Sequence, residues 1–277
     1  MSAQRIPLAG VIGDPISHSK SPALFAHWFK QTGCAGHYVP LHVEGGDLKR
    51  VLRNMPRMGF VGCNVTLPHK EAALEIADRA TDRATLVGAA NTLIFRPNGS
   101  ILADNTDGYG FISNIRAAAP AWDGKSGPAV VLGAGGAARA ILAALIELGV
   151  PKIFLSNRTR GKAEALRTAF GSKIDVVDWV QAGNAIEDSR TIINTTSLGM
   201  VGNPELRVPL DGIEPGDLVT DIVYTPLETR LLREAAQQGA QTVDGLGMLL
   251  YQAVPGFERW FGHRPVVDPD TRLAVLG

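Results

Sequence analysis

Cysteine is scarce in this 277-residue chain: Cys34 and Cys63 stand alone, far apart and outside any C-x-x-C pair. That excludes a disulfide framework and a cysteine zinc site, and it suits a reducing compartment. Neither sign of charge is in excess, since Lys plus Arg and Asp plus Glu both number 27. No long basic stripe runs through the chain, which argues against nucleic acid as its main partner. Long apolar runs are missing too. Residues 1–14 lack the continuous apolar core of a signal peptide. The most apolar segment, 140–150, is too short to span a bilayer and carries Glu147. No internal repeat or low-complexity tract is present. A soluble, cytoplasmic protein is expected, without membrane or nucleic-acid partners, and monomer and homodimer both stay open.

What the chain does have is length and turns. It is long enough for two domains of ordinary size, and its 31 glycines and 17 prolines suit the tight turns of an alternating α/β chain. Apolar periodicity predicts strands at 8–12, 38–43, 60–65, 92–95 and 100–103, with helices at 22–31, 47–55, 70–79 and 108–118. Asn98-Gly99 reads as a two-residue hairpin turn. After a turn-rich stretch around 122–128 a second alternation begins. Its strands fall at 129–132, 152–156, 174–177, 191–194, 218–223 and 242–243, and its helices at 136–148, 161–170 and 227–237. Strands separated by helices imply mostly parallel sheets with right-handed crossovers.

The second alternation opens on Gly133-Ala134-Gly135-Gly136-Ala137-Ala138, a G-x-G-x-x-A spacing straight after an apolar strand and straight before a helix. Gly133 permits the tight turn, and Gly135 lets a pyrophosphate approach the backbone. Ala138 lets helix and strand pack closely, with the diphosphate at the helix N-terminus. Where an NAD enzyme carries an acidic residue after the next strand, this chain has Asn157 and Arg158, with Lys162 one turn on. A neutral amide beside cations suits the 2′-phosphate of NADP. NADP is therefore the expected cofactor.

In the first half, Lys70 follows Pro68 and falls in the first turn of a predicted helix. The positive end of a helix disfavours a cation there, and such a setting is what an acid/base lysine calls for. A solvated surface lysine is the plainer alternative. The run Asp104-Asn105-Thr106-Asp107-Gly108 is a second unusual feature, although Asp107 alone would suit a helix N-cap.

The chain resembles the shikimate dehydrogenase family over essentially its whole length. The resemblance is carried by Ser17-His18-Ser19-Lys20-Ser21-Pro22, Asn64-Val65-Thr66-Leu67-Pro68-His69-Lys70, Gly88-Ala89-Ala90-Asn91-Thr92 and Asp104-Asn105-Thr106-Asp107-Gly108. It continues through the glycine loop, Asn157-Arg158-Thr159, Asn194-Thr195-Thr196-Ser197-Leu198-Gly199-Met200 and Asp244-Gly245-Leu246-Gly247-Met248, ending at Tyr251-Gln252. It implies NADPH-dependent reduction of 3-dehydroshikimate to shikimate, and two open-sheet α/β domains with a cleft between them. One would be a discontinuous substrate domain, residues 1–107 plus 245–277, and the other a Rossmann NADP domain, residues 108–244.

The resemblance also implies roles. Lys70 and Asp107 match the catalytic pair, and Ser19 and Ser21 the hydroxyls that hold the substrate carboxylate. Asn64, Thr66, Asn91 and Gln252 match groups around the ring hydroxyls, and Tyr224 the tyrosine that closes over the substrate. The cofactor would lie against Gly133, Ala134, Gly135, Gly136 and Ala137, then Asn157, Arg158, Thr159 and Lys162. Thr195, Ser197, Gly245 and Met248, the last lining the nicotinamide, would complete its site. Relatives that accept quinate often carry threonine at the position of Ser21. Several positions have plainer readings that stay open. Ser21 before Pro22 suits a helix cap, as does Thr66 ahead of Lys70, whereas Ser19 has no such alternative. Gln252, a buried amide on an apolar helix, needs partners.

Overall fold

The computed structural model describes residues 6–277, so residues 1–5 of the expected first domain lie outside the described residues. The chain divides into two compact units. Of the described residues, those up to Thr106 together with Leu250–Gly277 form the first, and Asp107–Leu249 the second. Asp107 and residues 245–249 thus count with the second unit.

The first unit contains β1 (Leu8–Gly13), α1 (Ser21–Thr32), β2 (His37–His42), α2 (Leu48–Asn54) and β3 (Phe60–Val65). They are followed by α3 (Lys70–Ile76), β4 (Arg79–Ala80), α4 (Asp82–Val87), β5 (Thr92–Phe95) and β6 (Ile101–Asp104). Its sheet runs β2-β1-β3-β5-β6-β4. Pairing is mostly parallel, as expected, with β1–β2, β1–β3 and β4–β6 parallel, but β5 runs antiparallel to both β3 and β6. The β5–β6 pair follows from the hairpin, since a short turn can join only antiparallel strands. That turn holds three residues, 97–99, rather than two. Arg96 and Ser100 close it (2.9 Å), and Gly99 takes φ +81°, the usual way a three-residue loop ends.

Helix α3 also stops short of the expected 79. The Asp78 carboxylate accepts the Ile101 N–H (2.7 Å), and the next two residues pair with β6 as β4. One face of the sheet buries Ile12, Leu52, Met55, Cys63, Leu93 and Ile101. Phe25 and Trp28 of α1 are also fully buried. At the end of β6, the buried Asp104 carboxylate takes two hydrogen bonds from Arg83, while Arg259 stands 3.8 Å away. Burial pulls this carboxyl upward, but Arg83 outweighs it and leaves Asp104 below the usual carboxylate range.

The second unit contains α5 (Asp107–Ala118), β7 (Ala129–Leu132), α6 (Gly136–Leu148), β8 (Ile153–Ser156), α7 (Arg160–Phe170) and β9 (Ile174–Val177). Then come α8 (Ala182–Glu187), β10 (Thr191–Asn194), β11 (Leu218–Asp221), α9 (Arg230–Gln237) and β12 (Gln241–Val243). The sheet order is β12-β11-β10-β7-β8-β9, with every pair parallel. Read from β9, that is the 3-2-1-4-5-6 order of a doubly wound dinucleotide fold. Strands β7, β10 and β11 are buried along their whole length, as a sheet covered on both faces requires. Helix α9 starts at Arg230, not 227, because Thr229 is its N-cap and accepts from the Leu232 N–H. The chain closes with α10 (Leu246–Phe261) and α11 (Pro269–Leu276). Among the described residues, no helix is long and apolar enough to cross a membrane.

Candidate active site

The 2-1-3 order of the first three strands makes the carboxyl ends of β1 and β3 the topological switch point of the first unit, where open α/β sheets bind ligands. The loops leaving these strands are tied together. Thr66 N–H donates to the Ile12 carbonyl (2.9 Å), and Asp14 N–H to the Leu67 carbonyl (3.1 Å). Ser19 and Ser21 come from the first loop, Thr66 and Lys70 from the second.

Here the capping expectations need correction. Ser21 is the first residue of α1, not its cap, and it is buried. It is Ser19 whose hydroxyl oxygen accepts the Ser21 N–H (3.3 Å), so the serine without an expected structural duty has one. That bond uses a lone pair and leaves the Ser19 proton for another acceptor. Thr66 does not cap α3 either. Its carbonyl accepts the His69 N–H (3.0 Å), which closes a turn containing Pro68 and leaves Lys70, not Pro68, near the helix start. Lys70 is the first helical residue and half-buried. Its segment is pinned by the His69 ring on the Val43 carbonyl (2.6 Å) and by the Lys70 carbonyl, which accepts the Ala90 N–H (2.8 Å).

Asn64, Asn91 and Gln252 form a connected array. Asn64 donates to the Asn91 carbonyl (3.2 Å) and to Thr92 Oγ1 (3.3 Å). Thr92 in turn donates to Asn91 Oδ1 (3.0 Å), and Asn91 Nδ2 to Gln252 Oε1 (3.1 Å). Thr106 adds its N–H to Asn91 Oδ1 (2.9 Å) and its hydroxyl to the Gln252 carbonyl (2.8 Å). The sequence reading missed a further member. The Tyr38 hydroxyl donates to Asn64 Oδ1 (2.7 Å). Burial pushes this phenol well above its usual range, so it remains a proton donor at any working pH. Tyr38 read only as the start of a strand, and nothing in its neighbours signalled a polar role. Asp107, which follows Thr106, opens α5 and is buried.

In the second unit the switch point lies between β7 and β10. Gly133 takes φ +112°, and a Cβ there would stand 2.6 Å from Thr195 Oγ1, so only glycine fits the turn. Thr195 donates its hydroxyl to the Leu132 carbonyl (2.8 Å) and so braces the loop from beneath. Ala134 N–H donates to Asn157 Oδ1 (3.1 Å), and Asn157 Nδ2 to the Thr159 carbonyl (2.8 Å). Asn157 thus ties the glycine loop to the segment bearing Arg158. Gly135 and Gly136 are exposed with open space around them, no side chain caps α6, and Ala137 is half-buried beside them. Uncapped N–H groups facing open space are the setting a diphosphate requires. The residues present therefore fit a dinucleotide.

Among the described residues, neither Arg158 nor Lys162 has a hydrogen bond or ion pair through its exposed side chain. Arg160, by contrast, is held by Asp178 (2.7 Å) and Glu164 (2.9 Å). Ser197 is exposed, and Tyr224 is half-buried with its hydroxyl pushed upward by desolvation. Their loops are joined through a pair the sequence reading did not single out. Asn194 donates to Asp221 Oδ1 (2.9 Å), which also takes the Val223 N–H (2.9 Å), while Thr229 donates to Oδ2 (2.8 Å). Burial raises the Asp221 carboxyl despite these bonds. A Cβ at Gly245 would strike the Ile222 carbonyl, so the backbones touch there. Met248 packs half-buried against the second unit's core.

Comparison with known proteins gives a consistent answer. Residues 11–93 match the shikimate dehydrogenase substrate binding domain, 118–201 the shikimate/quinate 5-dehydrogenase family, and 245–270 the shikimate 5′-dehydrogenase C-terminal domain. A shikimate dehydrogenase (NADP(+)) of Cereibacter sphaeroides is 66% identical over 272 residues, covering 98% of both chains. Shikimate 5-dehydrogenase from Thermus thermophilus, solved with NADP(H) and shikimate, is 34% identical with a TM-score of 0.86, over 98% of this chain and 99% of that one. Quinate dehydrogenase from Corynebacterium glutamicum, solved with NAD, is 30% identical with a TM-score of 0.91, again over 98% and 99%.

Proposed function

The chain belongs to the shikimate dehydrogenase family, and on that premise we propose that it catalyses the reversible NADPH-dependent reduction of 3-dehydroshikimate to shikimate. That reaction serves the pathway to aromatic amino acids. The first unit holds the substrate and the second holds NADP. The observation that carries the reading is the hydrogen-bonded array of Asn64, Asn91 and Gln252, in which Asn91 follows the Ala90 whose N–H is bonded to the Lys70 carbonyl. A ring with several hydroxyls needs such a set of oriented donors and acceptors, and a site built this way rejects rings that lack them. The unpaired Cys34 and Cys63 support a cytoplasmic setting.

Bound NADPH supplies the hydride. Its diphosphate would rest on the N–H groups at the start of α6, and its 2′-phosphate on Arg158 and Lys162. As the ketone accepts hydride its oxygen gains negative charge, which a positioned acid must neutralise. Lys70 donates that proton and takes it back in the oxidative direction, with Asp107 as the second member of the proton-handling pair. Ser19 and Ser21 donate to the substrate carboxylate by hydrogen bonds alone, and Tyr224 lines the substrate.

Quinate bears an extra hydroxyl on the carbon that carries its carboxylate. If Ser21 bonds the shikimate carboxylate, that hydroxyl clashes or displaces the contact, a mismatch of about 3 kcal/mol, roughly 10²-fold in specificity. Turnover over Michaelis constant, measured for shikimate and quinate with NADP and NAD, should favour shikimate with NADP by at least that factor. Ser19→Ala should weaken shikimate binding by about 1.5–3 kcal/mol, the range for a hydrogen bond to a charged group. Comparable efficiencies on both acids, or unchanged affinity in the serine variant, would show the serine pair does not read the carboxylate.

A further inference from the structure

Helix α5 turns one amide into its core. Along its buried face Phe111, Ile112 and Ile115 join the apolar cluster of the second unit, and beside them Asn114 is only 5% exposed. A buried amide must find partners or cost stability. A helical asparagine often bonds a carbonyl one turn back. Asn114 instead sends its Nδ2 to the Asp244 carbonyl (2.7 Å), 130 residues along the chain. That carbonyl lies just ahead of α10, whose first residue, Leu246, gives its N–H to the Asp244 side chain (3.0 Å). The Asn114 amide also fills the space beside Gly247. A Cβ on Gly247 would land on it, a closer approach than at any other described glycine. Gly247 does not take a positive φ, so space rather than backbone conformation calls for glycine there.

We propose that Asn114 is a positioning residue for the nicotinamide end of the cofactor: its amide, bonded to the Asp244 carbonyl and packed against Gly247, holds the turn 244–248 where hydride transfer needs it. Asn114 acts through that turn, and the inference rests on the proposed reading of Gly245 and Met248 as lining the nicotinamide. The bond from Leu246 to Asp244 lies within the turn and shapes it without placing it. The Ile222 backbone limits the turn at Gly245, and Asn114 limits it at Gly247, next to Met248. Met248 packs on the same apolar cluster as Phe111 and Ile115, so a turn that settles toward α5 carries Met248 with it. Asparagine supplies both things the contact uses, an N–H for the Asp244 carbonyl and bulk against the Gly247 backbone.

The test reads the contact and its consequence separately. In the cofactor-free protein, Gly247→Ala should lower the melting temperature by about 4 °C or more, the scale of overpacking a fixed site. With Asn114→Ala also present, the same substitution should cost less than about half as much, because the clashing amide is gone. Asn114→Ala alone should lower turnover about 10-fold, inside the roughly 10²-fold that an ångström of misplacement can cost. The single-turnover rate of NADPH oxidation should fall by the same factor, which locates the loss in hydride transfer. The Michaelis constant for shikimate and the NADPH dissociation constant, followed by fluorescence, should each move less than about 3-fold, since the groups that hold the ring and the phosphates are untouched. A packing defect alone lowers the melting temperature but not the rate per bound NADPH. Asn114→Ser, whose hydroxyl is too short to reach Asp244, should behave as Asn114→Ala does and replaces it if the alanine variant does not fold. Additive melting losses, or a wild-type single-turnover rate in the Asn114 variants, overturn the proposal. A wild-type protein that binds NADPH but does not reduce 3-dehydroshikimate would instead overturn the proposed function, and the melting comparison would still decide the Asn114 contact.

Discussion

Replacing Lys70 by alanine should lower the turnover number for shikimate oxidation by at least ~10²-fold, the scale of losing a positioned acid–base group. Affinity for shikimate should change much less, because the lysine acts mainly on charge that develops in the transition state. The expectation rests on where the residue stands. Lys70 opens α3, and the helix dipole gives a cation no support there. Its backbone is fixed from two sides, by the turn that Thr66 and His69 close and by the Ala90 N–H on its carbonyl. A surface lysine needs no such fixing. Lys70→Arg keeps the positive charge but cannot release a proton near neutral pH, so its turnover should stay low as well. Steady-state kinetics on both variants separate the possibilities. Near-normal turnover in either would make Lys70 a binding or surface residue.

Arg158→Ala should raise the Michaelis constant for NADP about 10- to 150-fold, corresponding to about 1.5–3 kcal/mol for one charge-assisted contact. That for NAD should move little. The structure strengthens the argument by separating the arginines of this segment. Arg160 is engaged by Asp178 and Glu164, whereas Arg158 is exposed and, among the described residues, unpaired. Lys162, one turn on, adds charge but not the planar fork of a second arginine, so Arg158 should carry most of the selectivity. Arg160→Ala is the control and should leave the NADP constant close to wild type. Equal effects of Arg158→Ala on both cofactors would show that it does not read the 2′-phosphate.

The parts of the fold that sequence patterning revealed are those where one physical signal dominates. Strand β7 and helix α6 fall where expected, because an apolar run, a glycine turn and a long amphipathic helix all point the same way. The misplaced boundaries are those decided by a partner distant in sequence. Helix α3 ends where Asp78 meets Ile101, and α9 begins only after Thr229 has capped it and bonded Asp221. The antiparallel β5–β6 pair follows from one hairpin, a small local feature that the Asn98-Gly99 turn marks in the sequence.

The site shows the same division. Motif spacing marks Ser19, Ser21, Lys70 and the glycine loop, since each sits in a contiguous run with recognisable chemistry. It does not reveal which serine accepts a backbone proton, because Ser19 and Ser21 differ only in the path the chain takes between them. Tyr38 was invisible for a different reason. Its partner Asn64 lies on another strand, and a tyrosine in a strand is ordinarily just a packing residue. The Asn194–Asp221 pair joins two loops that no local pattern connects.

The central claim is that this chain carries out hydride transfer to a ring ketone, and the most direct measurement follows NADPH absorbance as 3-dehydroshikimate is added to the purified protein. The account predicts that absorbance falls in proportion to the ketone consumed, that shikimate accumulates, and that NADH in place of NADPH gives a much slower loss. An absorbance that stays level, with active protein shown to bind NADPH, would contradict it.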